Sequence, residues 1–134
     1  MTGVQTCALP ICTFALCVGL FGCERGVSFA GDVQPILLAS CVSCHSKSGE
    51  GYAASGFSLE DYDGVMKGTK FGTVVVPNSS ISSNLYRVIA NKTDPAIQMP
   101  PQHETSLAEG RGYALSEKQI ETIGVWIDQG AKNN

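Results

Sequence analysis

Cys41-Val42-Ser43-Cys44-His45 is the stretch that decides the fold. Two thiols three positions apart, with an imidazole directly after the second, form the C-x-x-C-H pattern of covalent c-type haem attachment. The spacing has a physical reason. Two thiols can add across the two vinyl groups on one edge of a porphyrin, and the adjacent imidazole then reaches the iron from one face. In a helix, Cys41 and His45 are i,i+4 neighbours on a shared face. Two rival readings exist. A redox dithiol would need a thioredoxin-like βαβ pattern around it, and none is present. A zinc site wants four ligands; the only other histidine is His103, and there is no second C-x-x-C.

The flanks suit this reading. Upstream, Asp32 reads as an N-cap, and Pro35 is tolerated in a first helical turn. Val33, Ile36, Leu37, Ser40, Cys41 and Cys44 recur at helical spacing, so one short amphipathic helix is expected to run into the motif. Downstream, residues 116–130 form the clearest helix signal. Ser116 and Gln119 make a capping box, Gly130 is a natural stop, and Ile120, Ile123, Trp126 and Ile127 make one broad apolar face. Between them the signals weaken. A helix is expected over 58–67, with Leu59, Tyr62 and Met66 on one side. Val74-Val75-Val76 reads as a short extended run stopped by Pro77. Ser79 or Ser80 would cap a helix through Ala90, with Ile81, Leu85, Val88 and Ile89 facing inward. In Asp94-Pro95-Ala96-Ile97-Gln98-Met99-Pro100-Pro101, three prolines forbid regular structure and make a stiff loop around Met99.

The N-terminal region has a different character. No charged residue precedes Glu24. Residues 1–11 read as a translated sequencing adapter, and residues 12–22 as the remnant of a signal-peptide apolar region. Leu20-Phe21-Gly22-Cys23 is close to a lipobox, which makes Cys23 the expected lipidation site and residues 23–28 a tether. The domain then spans 29–134 on the exported, periplasmic side of the cell envelope, anchored to a membrane through Cys23. Of the six cysteines, Cys7, Cys12 and Cys17 fall in the discarded segments, so only Cys41 and Cys44 remain for chemistry in the domain.

Composition narrows the function. A formal charge of −3 with scattered Lys and Arg excludes a nucleic-acid footprint. There is no nucleophile–base constellation, P-loop or dinucleotide fingerprint. Five Phe, one Trp and four Tyr are a thin aromatic supply, so a prosthetic group is expected to fill part of the core. Glu60, Asp61 and Asp63 read as a solvated face, and Trp126 as core packing.

From about Phe29 to Ala131 the chain resembles a small class I-type cytochrome c domain, closest to the planctomycete-type domains also found in Bacteroidetes lipoproteins. The resemblance is carried by Asp32-Val33-Gln34-Pro35-Ile36-Leu37, Cys41-Val42-Ser43-Cys44-His45, Val75-Val76-Pro77, Leu85-Tyr86-Arg87, Met99-Pro100-Pro101, and Leu115-Ser116 leading to Trp126-Ile127-Asp128-Gln129-Gly130-Ala131. It implies an all-α fold with N- and C-terminal helices packed around one covalently bound haem c. It implies Cys41 and Cys44 as attachment points, His45 as one axial ligand and Met99 as the other. A thioether ligand favours ferrous iron and raises the potential. His103, in a segment 102–114 longer than the usual link to the last helix, is the alternative second ligand. Met66 reads as core packing. Arg87, Tyr86, Lys92 and Tyr113 are candidate donors to haem propionates.

The expected function is electron transfer by a single-haem carrier between redox partner proteins, with no enzymatic activity and no small-molecule substrate. A haem enzyme or gas sensor with a displaceable distal ligand is one alternative, distinguished by carbon monoxide binding. A structural lipoprotein module stabilised by its haem is the other, distinguished by failure to exchange electrons with soluble mediators.

Overall fold

The computed structural model describes residues 25–101, 108 and 113–134. The expectations for residues 1–24, Cys23 among them, and for His103 lie outside the described residues. Among the described residues the structure is helical, with no strand beyond an isolated bridge between Thr69 and Gly72.

The chain enters its first helix through Ser28, not Asp32. Ser28 Oγ accepts the Gly31 N–H at 3.1 Å, and the Ser28 N–H donates to Asp32 Oδ2 at 2.8 Å. Asp32 therefore serves the cap from inside the first turn by reaching back, in the manner of a capping box. Its ion pair with Arg25 is exposed and adds little. The first turn, Phe29–Val33, is a widened π-turn that passes into α1, Gln34–Ser40. Pro35 follows directly. It has no N–H to give, and its ring would crowd the carbonyl four residues back in a regular helix. The widened turn removes that conflict.

The expected continuous run into the motif is broken. Cys41 leaves helical geometry (φ −128°, ψ −36°) and α2, Val42–His45, restarts behind it. The Cys41 carbonyl accepts both the Cys44 and His45 N–H groups, which holds the kink. Next comes α3, Glu50–Ser55, which the glycines of Gly49-Glu50-Gly51 conceal in the sequence. The helix expected over 58–67 is shorter: α4 is Tyr62–Lys67, capped by Asp61 Oδ1 on the Gly64 N–H at 2.7 Å. Asp61 is thus a cap, and Glu60 accepts bonds from the Lys47 N–H and Ser58 Oγ, so this acidic stretch is more than a solvated face.

Val74-Val75-Val76 has no strand partner among the described residues. Val75 is buried, Val74 O accepts the Leu85 N–H, and the Val76 N–H donates to Ser83 Oγ. Ser83 is fully buried and its hydroxyl donates in turn to Ser79 O at 2.8 Å. These local bonds compete with helix over 79–82. So α5 is only Asn84–Ile89, with Leu85 and Ile89 inward, and Ile81 is 73% exposed rather than on an inner face. A 3-10 turn, Pro95–Ile97, is the one regular element of the proline-rich loop.

The last helix, α6, is Glu117–Asp128, and its capping box is formed as expected: Gln119 N–H to Ser116 Oγ, and Ser116 N–H to Gln119 Oε1. Phe29, Val33 and Leu37 of the first helix join Ile123, Trp126 and Ile127 of α6 in one core. Phe29 sits 5.3 Å from the Trp126 ring and 5.2 Å from Tyr62, edge-on to the latter. Both polar tips are satisfied: Trp126 Nε1–H donates to Lys132 O and Tyr62 O–H to Ala131 O. Trp126→Ala is expected to cost about 3–5 kcal/mol, because the cavity lies where the two terminal helices meet. Denaturant unfolding of the haem-loaded protein measures it; a loss under about 1 kcal/mol would show that the site collapses without harm.

Candidate metal centre

The kink between α1 and α2 presents three donor groups in five residues. Cys41 and Cys44 are both half-buried and not joined in a disulfide. Burial, with Cys44 nearby adding to it, pushes the Cys41 thiol up to about 11. Cys44 Sγ lies 3.9 Å from Glu50 Oε1 and from Ser43 Oγ. Among the described residues no three His, Cys, Asp or Glu side chains converge where a bare ion would sit. That arrangement is unlike the closed four-ligand cage of structural zinc.

His45 is the most constrained member. Its Nδ1 lies 3.2 Å from the Phe57 carbonyl. A carbonyl can only accept, so Nδ1 carries the proton and Nε2 keeps its lone pair for a metal. The backbone carbonyl of His45 takes the Leu59 N–H at 2.9 Å. The segment 57–59 thus holds His45 at its ring and at its main chain. The Phe57 ring stands edge-on to the imidazole at 5.6 Å. On the other side α3 comes so close that a Cβ on Gly51 would lie 3.1 Å from Nε2, 3.0 Å from Cε1 and 2.9 Å from the Cys44 carbonyl. Glycine is what lets the helix lie against the imidazole.

Gly51 offers a test of that contact. Helix propensity alone would favour Gly51→Ala by about 1 kcal/mol. Crowding against a fixed ring and a backbone carbonyl costs about 1–3 kcal/mol. The expected outcome is net destabilisation of the haem-loaded protein with a shifted Soret band. A stabilised Gly51→Ala variant with an unchanged spectrum would show that the ring has room to move.

Met99 follows the 3-10 turn. Asp94 Oδ1 holds the Ala96 N–H at 2.9 Å, and the Met99 N–H donates to Val88 O at 3.1 Å, tying the loop back onto α5. Met99 is 37% exposed and does not belong to the buried core. Met66, by contrast, packs against the core as expected. Of the four candidate propionate donors, Tyr86 and Lys92 are turned to each other, with Lys92 Nζ 3.4 Å from Tyr86 Oη and 4.8 Å from its ring centre. The Tyr86 ring rests on Gly124 at the α5–α6 crossing, which makes it a packing residue. Arg87 and Tyr113 are exposed. In the loop that carries Met99, Thr93 Oγ1 is buried and has no partner among the described residues.

The donor chemistry fits a haem edge: two thiols three residues apart and an imidazole whose Nε2 has its lone pair available. The described residues are helical, as expected of an all-α small cytochrome fold. Residues 41–103 match the family described as Planctomycete cytochrome C, a span that runs from the first motif cysteine through the Met99 loop. The match supports a cytochrome c-type domain related to the planctomycete type, for which haem c is the implied cofactor. No curated protein and no solved structure matches the chain.

Proposed function

We propose that the protein is a single-haem c-type cytochrome that passes one electron at a time between redox partner proteins of the cell envelope. The observation that carries this reading is the His45 hydrogen bond: Nδ1 is committed to the Phe57 carbonyl, which leaves the Nε2 lone pair available as a ligand in the residue that follows Cys44. When bound, haem c supplies an iron that alternates between ferric and ferrous states. Cys41 and Cys44 would hold it through thioethers, and His45 Nε2 and Met99 Sδ would supply the protein ligands to its iron. The chain's own part is to fix the ligands and keep the pocket dry. The Phe57 hydrogen bond makes the imidazole a stronger donor and sets its plane, and the choice of a sulfur as the opposite ligand favours the reduced state.

The partner meets the protein through a small, transient interface. Attachment to the membrane through acyl chains on Cys23 belongs to the same reading; two or more chains anchor firmly where one would not.

The test is the optical spectrum of the purified protein, oxidised and reduced, with a pyridine haemochrome and an intact-mass measurement. One haem c per chain and reversible one-electron reduction by soluble mediators are expected. A preparation matured with the haem-attachment machinery that holds no covalent haem would overturn the reading, and haem that exchanges no electrons with any mediator would favour the structural module. Mass spectrometry of protein made with a complete leader checks Cys23; an unmodified N-terminus downstream of it would remove the anchor.

A further inference from the structure

We propose that Thr93 is a hydrogen-bond donor to a haem propionate and thereby sets the pH range over which the midpoint potential changes; the inference rests on the haem-binding reading above. Thr93 Oγ1 is shielded from solvent and has no hydrogen-bond partner among the described residues. A buried hydroxyl left unpaired costs free energy, and native structures leave few of them. The neighbours on either side do not share its environment: Lys92 and residues 94–97 are all exposed. Thr93 is the position at which this stretch turns a polar side chain inward.

The backbone around Thr93 is held in place. The Lys92 N–H donates to Arg87 O at 2.9 Å, the Ile97 N–H to Asp94 O at 3.0 Å, and the Met99 N–H to Val88 O at 3.1 Å. The last bond closes residues 88–99 into one loop that carries both Thr93 and Met99. A hydroxyl can donate as well as accept, and the partner proposed here is an acceptor that the cofactor brings beside the loop carrying Met99. The hydrogen-bonding groups at the edge of a haem are its two propionates, which accept when ionised. Tyr86 and Lys92, the obvious donors by residue type, are engaged with each other.

A hydroxyl donating to a carboxylate favours its ionised form and lowers its pKa. A propionate sits on the same macrocycle as the iron, so its charge bears on the ferric–ferrous balance. The midpoint potential should then fall with rising pH across the propionate pKa, over a range that Thr93 sets.

The experiment uses the haem-loaded protein. Its pyridine haemochrome is recorded first; absence of haem overturns the haem reading and this inference together. Midpoint potentials are then measured against pH for wild type, Thr93→Val and Thr93→Ser, with resonance Raman spectra of the propionate bending mode. Thr93→Val keeps the shape and removes the hydroxyl. It is expected to move the pH-dependent region upward by about one pH unit, a tenfold change in the dissociation constant, and to shift the propionate mode. Thr93→Ser is expected to restore both. If Thr93→Val carries haem and titrates as wild type does, the inference is wrong while the haem reading stands. If Thr93→Val instead alters the far-red thioether band at every pH without moving the pH-dependent region, the hydroxyl serves the sulfur of Met99, and the propionate assignment is likewise overturned.

Discussion

Replacing Cys41 and Cys44 together by alanine is expected to abolish the cooperative unfolding transition, not merely to lower its midpoint. Most of the helices are short. α1 has seven residues, α2 four, and α3, α4 and α5 six each. Isolated helices of that length are unstable in water, so their stability must come from packing. The buried aromatics among the described residues are Phe29, Phe57 and Trp126. Leu38, Val76, Ile97 and Met99 remain substantially exposed in the polypeptide by itself. A small domain has a net stability of about 5–15 kcal/mol, and the apolar faces of a haem are large on that scale. Without thioethers, retention of the haem would depend on the axial ligands alone. Far-UV circular dichroism and hydrogen exchange on the double variant measure the effect. A compact, helical, haem-free protein that unfolds cooperatively would show that the polypeptide core is sufficient.

The second large effect is expected at Met99. Met99→Ala should leave iron with His45 on one side and an open position on the other. The reduced variant should bind carbon monoxide where the wild type resists it. The midpoint potential should fall by something on the order of 0.1 V, a modest part of the ~0.8 V range that axial ligands span. The far-red charge-transfer band of thioether-ligated ferric haem should vanish. The loop itself should survive, because Met99 is tied to α5 through its N–H and Val88 O, a bond the substitution does not touch. The control is His103→Ala. If Met99→Ala keeps the band and the ligand resistance while His103→Ala changes the spectrum, the distal ligand is His103. Electron transfer would then proceed at a lower potential through bis-histidine ligation.

The sequence and the structure part company where local signals are weak or in competition. Ser116 and Gln119 specify the start of α6 within one turn, and that start is where the structure has it. The first helix starts earlier than the sequence suggests, because Asp32 is a good cap in isolation while Ser28 sits between the apolar Val27 and Phe29. Only the fold back of the Asp32 carboxylate onto the Ser28 N–H reveals the pair. Ser79-Ser80-Ile81-Ser82-Ser83 offered several caps, and the buried Ser83 hydroxyl decided among them by bonding to Val76 and Ser79. The helix α3 is hidden in the sequence because two glycines in three residues lower propensity, whereas the close approach to the Cys44 backbone requires both of them.

What the sequence determined by itself is the chemistry and the frame: the donor set Cys41, Cys44 and His45, the stiff loop around Met99, the apolar face of α6 and the resemblance to a planctomycete-type cytochrome c. Each of these is encoded by residue types at fixed short spacings, where side-chain chemistry and helical periodicity suffice. The tertiary structure decided which nitrogen of His45 is bonded to the protein, through a carbonyl twelve positions away at Phe57. It also decided that Gly51 lies against the imidazole, that Tyr86 packs on Gly124, and that the Thr93 hydroxyl is turned inward without a protein partner among the described residues. These facts depend on backbone groups and on contacts between segments far apart in the chain. A carbonyl has the same chemistry at every residue, so only the fold selects which one a given side chain meets.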